Sequence, residues 1–147
     1  MDDLYEVLLY TFRLAREEIF QDGMESRFSR ELEDYLSADG PGTLRVIERL
    51  VTEGKIGGEE LGEACRWLGH DETRETHEQR RGLLESLLVH PNHYVKDGAM
   101  LGLSFLDDPA AIPALQAAAK SEVYDELRQD MQDVIDDLVA TAREREA

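Results

Sequence analysis

Residues 95–115, VKDGAMLGLSFLDDPAAIPAL, constrain the fold more than any other stretch of the chain. Val95, Ala99, Leu103 and Leu106 follow helical spacing, Asp107-Asp108-Pro109 interrupts it, and Ala111, Ile112 and Leu115 begin a second helix. Proline cannot extend the first helix but suits the opening turn of the next. The same pattern returns in weaker form at roughly 30–35 residues on both sides, a period that marks stacked helical hairpins. One hairpin cannot cover its own apolar stripe, whereas a row of hairpins buries a continuous core. The spacing therefore predicts an all-α protein, an α-solenoid of about four helical hairpins. Small residues at Gly98, Ala99, Gly102 and Ser104 are expected to let neighbouring helices approach closely.

The rest of the chain fits this plan. Residues 4–20 place Leu4, Leu8, Phe12, Ala15 and Ile19 on one helical face, with Gly23 at the end. Residues 25–36 carry Phe28, Leu32 and Leu36 on a second stripe. SADGPG reads as a loop, with Pro41 in the first turn of a helix bearing Leu44, Ile47, Leu50 and Val51. Residues 59–69 form the fourth helix, with Gly69 near its end. Asp71 or Thr73 is expected to cap a fifth, through ETHEQRRGLLESLLV. HPN turns the chain into a helix over 94–106, and another covers 110–120. Asp125 or Glu122 opens the last, which carries Leu127, Met131, Val134, Ile135 and Leu138 to about residue 143. Nothing alternates with period two, so no sheet is expected. The chain reads as one domain, 1–147, with residues 141–147 fraying.

Segment 95–115 resembles a HEAT repeat of the bacterial type also seen in phycobilin-lyase-like proteins. The family pattern runs roughly V-R-x-x-A-A-x-A-L-G-x-L-G-D-P-x-A-I-P-x-L. Val95-Lys96 match its opening, Ala99, Leu103 and Leu106 its core, Asp108-Pro109 its turn, and Ala111, Ile112, Pro113 and Leu115 the next helix. The resemblance extends over 43–140, with 1–40 as a divergent N-terminal hairpin. It implies that the second helix of each hairpin, here 59–69, 94–106 and 125–140, lines a concave side. Setting the buried stripes aside leaves Glu59, Glu63, Arg66, Lys96, Asp97, Asp130, Asp133 and Asp137 as the residues expected to face outward there. Two other activities occur among HEAT-like proteins, a metal-dependent enzyme and a bilin or cofactor lyase-chaperone. The hydroxylases of this type resemble stacks of several His-Glu pairs, and this chain has one, His77-Glu78.

Charge narrows the choice of partner. Thirty-three Asp and Glu against sixteen Lys and Arg give a net charge of -17. A nucleic acid or anionic membrane requires a basic face, which this composition denies. Residues 121–147 concentrate the imbalance, with nine acids against three bases. The expected function is a non-catalytic scaffold whose acidic concave groove binds a basic protein or peptide, as an adaptor or as an immunity protein masking a basic toxin. No cofactor or metal is expected. His70, His77, His90 and His93 read as solvated loop side chains too far apart for one site, and the single Cys65 as a buried apolar group. Trp67 reads either as core or as an exposed interface anchor. The N-terminus has acids where a secretory signal carries bases, and no apolar run spans a membrane, so a cytoplasmic location is expected.

Overall fold

The computed structural model describes residues 3–21 and 23–147, and every regular element within them is helical. The helices are α1 (Asp3–Ala15), α2 (Arg27–Ala38), α3 (Gly40–Thr52), α4 (Gly58–His70), α5 (His77–Leu87), α6 (His93–Leu106), α7 (Ile112–Ser121) and α8 (Asp125–Glu146). One-turn 3-10 segments, Arg74–Thr76 and Pro109–Ala111, lead into α5 and α7. The even-numbered helices pack in succession as one layer. In the other, α1 packs on α3 and α3 on α5, while α7 joins the stack against α8. Helices α4, α6 and α8 begin at Gly58, His93 and Asp125, the offsets at which the sequence pattern repeats. The expected solenoid of helical hairpins is thus present.

The stripes read from the sequence meet in one core. Leu8, Phe12, Phe28, Leu32, Leu44, Ile47, Leu61, Leu68, Leu84, Leu103, Leu115 and Met131 are all buried in it. Each such side chain contributes about 1.5–3 kcal/mol on burial. Helix ends are set by short polar side chains. Ser26 accepts from the Ser29 N–H at the start of α2, and Asn92 accepts from the N–H groups of Tyr94 and Val95 at the start of α6. Asp39 alone separates α2 from α3, closing one and capping the other through the Gly42 N–H, so SADGPG is mostly helix instead of loop.

The seam between α4 and α6 is unusually close. A Cβ on Gly98 would fall 2.2 Å from the Gly62 carbonyl oxygen, and one on Gly69 would fall 2.1 Å from that of Gly102. Backbone therefore lies directly on backbone, as the small residues of α6 suggested. At the far end of α4, Arg80 of α5 is fully buried. Its guanidinium donates to the carbonyls of Leu68 (2.8 Å), Asp71 (2.6 Å) and Thr73 (2.6 Å), and its Nε donates to Thr76 Oγ1 (3.0 Å). These bonds satisfy carbonyls that the end of a helix and its exit loop leave without partners.

Three local expectations are corrected. Helix α1 stops at Ala15, and Ile19 is 89% exposed; Phe20 packs instead, with its ring 6.0 Å from Phe28. The chain leaves the helix because the Glu18 carboxylate accepts the N–H groups of Arg27 and Phe28, which the first turn of α2 leaves free. Neither Asp71 nor Thr73 caps α5. Asp71 accepts the Thr73 N–H, the 3-10 turn intervenes, and α5 starts at His77. The last helix opens at Asp125, one of the two residues expected there, and Glu122 is buried ahead of it, accepting the N–H groups of Val123 and Tyr124. That helix continues through Glu146, beyond the end expected near residue 143. Thr141 donates to Asp107 Oδ1 (2.8 Å) and Arg145 to the Asp107 carbonyl (3.0 Å), which ties the tail to the α6–α7 turn.

Candidate functional site

Six of the eight residues singled out by sequence on α4, α6 and α8 are exposed or half-buried. Glu59, Asp130, Asp133 and Asp137 are exposed, and Asp97 is half-buried. Lys96 is also half-buried, its Nζ 3.0 Å from Glu122 Oε1. Burial opposes ionisation of Glu122, yet its carboxyl lies below the ordinary range because the Tyr124 N–H and Lys96 outweigh that cost. Glu63 and Arg66 do not face outward. They are 5% and 8% exposed, and they line a cavity of about 300 Å³ together with Glu18, Ile19 and Phe20. Glu63 accepts the Trp67 indole N–H at 2.7 Å and contacts Arg66 at 3.5 Å.

An aromatic row crosses α4 and α6. Tyr94 and Phe105 stand exposed on α6, eleven residues apart and hence on the same side of the helix. Phe105 stacks on His70 with ring centres 3.9 Å apart, and His70 lies 5.0 Å from Trp67. Burial and the nearby Arg66 charge both push His70 below the ordinary histidine range, so its ring is neutral at neutral pH. Trp67 is neither fully core nor freely exposed. It is half-buried and forms part of the wall of a cavity of about 570 Å³ between α2 and α4. Glu25, Ser29, Glu33, Ser37, His70, Asp71, Glu72 and Thr73 complete the polar lining. A further cavity of about 400 Å³ joins α6 to α8, among His93, Asp97, Tyr124, Asp125, Glu126 and Asp130.

The histidines are more committed than loop side chains. His77 opens α5 and bonds Asp108 at 2.7 Å, while Arg81 reaches the same carboxylate oxygen at 2.8 Å. Burial opposes the charged form of Asp108. Bonds from His77, the Ala110 N–H and Arg81 outweigh it and hold the carboxyl down at about 2. His90 Nδ1 accepts the Asn92 N–H, and His93 meets the edge of Tyr124 with ring centres 5.6 Å apart. Among the described residues no three His, Cys, Asp or Glu side chains gather as a metal-binding group. Cys65 is fully buried, as its sequence setting suggested, and burial pushes its thiol up to about 12. The protonated thiol is a poor nucleophile at neutral pH. No described helix is long and apolar enough to cross a membrane.

Sequence reasoning missed Arg80, Asp108 as a junction, and the α2–α4 cavity. The arginine lies in a polar run, EQRR, with no apolar neighbour to mark it as buried. Comparison with known proteins bears on the scaffold. The family model for HEAT repeats matches residues 59–136, more than half of the chain, from the start of α4 into α8. No curated protein and no solved structure gave a match. HEAT repeats generally mediate protein–protein interaction and form a typically non-catalytic scaffold. With the offsets of α4, α6 and α8, the Asp108-Pro109 turn and the family match in agreement, the chain belongs to the HEAT-repeat family.

Proposed function

We propose that this protein is a non-catalytic scaffold that binds a basic protein or peptide on the open face of α4, α6 and α8. The observation that carries the reading is the meeting of charge with shape. Glu59, Asp97, Asp130, Asp133 and Asp137 project from the layer that the aromatic row crosses, in a chain of net charge -17. Acidic residues at the rim steer a basic partner and speed encounter, while exposed aromatic rings supply anchoring area. An adaptor and an immunity protein that masks a basic toxin both satisfy this description. A toxin gene beside this one would select the second.

The test is fluorescence anisotropy with a labelled basic peptide and an acidic peptide of equal length, at about 0.05 M and about 0.5 M salt. Binding of the basic peptide alone, weakened more than about tenfold by salt and by the triple change Asp130→Lys, Asp133→Lys and Asp137→Lys, is the expected result. Equal binding of both peptides, or binding indifferent to salt, overturns it.

A further inference from the structure

The cavity between α2 and α4 has a chemistry of its own. Among the described residues its charged lining is wholly acidic: Glu25 and Glu33 from the α2 side, Asp71 and Glu72 from the exit of α4. No described lysine or arginine contributes to it. Trp67 and His70 supply an aromatic wall, and the wall is fixed. Glu63 Oε2 holds the indole N–H at 2.7 Å, and Phe105 backs the imidazole at 3.9 Å. The volume, about 570 Å³, is several times that of one long side chain and falls in the range of ligand-binding clefts, roughly 300–1,000 Å³.

We infer that this cavity receives an arginine side chain of the basic partner, with the guanidinium lying against the Trp67 and His70 rings and its N–H groups directed to the surrounding carboxylates. The planar guanidinium stacks on aromatic faces and bonds carboxylates in pairs, whereas the compact lysine ammonium remains strongly hydrated. An acidic side chain would face the like charges of Glu25, Glu33 and Glu72, while Asp71 already lies 3.9 Å from Arg80. A purely apolar one would strip water from those carboxylates without replacing it. The arginine pocket rests on the basic-partner reading, gives it an anchor, and places that anchor between α2 and the C-terminal end of α4, apart from the α8 acids.

Trp67 is the only tryptophan in the chain, so its fluorescence reports on this wall directly. The experiment titrates the full-length protein with a hexa-arginine and a hexa-lysine peptide, following anisotropy of labelled peptide and Trp67 emission in parallel. Saturable change in Trp67 emission with hexa-arginine is the expected result. The expected response to hexa-lysine is at least threefold weaker, and Glu33→Gln with Glu72→Gln weakens hexa-arginine binding about tenfold while the far-ultraviolet dichroism stays unchanged. Peptide binding by anisotropy with silent Trp67 emission, or with no effect of those two substitutions, overturns the pocket and leaves the acidic-face reading standing. Equal responses to both peptides overturn the arginine assignment. Absence of anisotropy change with either peptide overturns the acidic-face reading and the pocket with it.

Discussion

Helix α4 has two neighbours in its layer, and it meets them in opposite ways. Towards α6 it presents Gly62 and Gly69, and the two backbones touch. Towards α2 it presents Trp67, and a cavity remains. One side of a single helix thus lies with its backbone against its neighbour, and the other leaves a wider gap, about 570 Å³ against about 300 Å³ beside the glycine seam. Side-chain size accompanies the difference: glycine permits contact between backbones, whereas the indole, held by Glu63 and His70 of its own helix, lines a gap ringed by polar groups. Tight packing commits the first seam to stability, and the looser one is where recognition has room.

The largest expected effect comes from the closed seam. Gly98→Ala places a methyl 2.2 Å from a backbone oxygen that cannot step aside. It should cost about 3 kcal/mol, read as a lower denaturation midpoint. A loss below about 1 kcal/mol would show that the seam is looser than described.

Next comes the junction at Asp108, which pins the outer edge of the same half of the molecule. Its carboxyl sits at about 2 when folded, below the ordinary 3.8. A depressed acid favours the folded state above its unfolded pKa, and that advantage fades as pH falls from about 4 towards about 2. The contribution is about 2 kcal/mol. Asp108→Asn should remove it at neutral pH and flatten that part of the acid-stability curve. An unchanged curve would remove the junction from the account.

At the open seam the response should be milder. Trp67→Phe removes the bond to Glu63 and should cost about 1 kcal/mol by urea melting, less than the single methyl at Gly98. The reverse order would break the contrast between the two seams. The smallest effect sharpens it. Gly82 on α5 has only open space where an added methyl would sit. Gly82→Ala should raise stability by about 0.5–1 kcal/mol, opposite in sign to the same change at Gly98.

Much of the scaffold could be read before any coordinates. The turn at Asp108-Pro109 and the spaced apolar stripes depend on local chemistry, so they survive in one dimension. Gly98 and Gly102 also signalled close packing, although their partner helix did not. The candidate face was legible only where it stays clear of the rest of the chain: Glu59, Asp130, Asp133 and Asp137 face solvent as their helical phase requires. Glu63 and Arg66 share that phase but are buried, in a cavity lined also by residues 18–20, which are distant in sequence. The same distance hid Arg80, whose carbonyl partners extend back to Leu68. Helical phase tells which way a side chain points and says nothing about what folds over it.

The single-residue hinge at Asp39 has a consequence for how a guest would be received. Helix α2 forms one wall of the cavity, and only Asp39 separates it from α3. Thr43 of α3 also donates to the Tyr35 carbonyl of α2 (3.0 Å), so there is no slack between them. To widen the opening, α2 must drag α3, and with it the hydrophobic interior. Any adjustment to a guest therefore falls to side-chain rotamers rather than to movement of α2 alone.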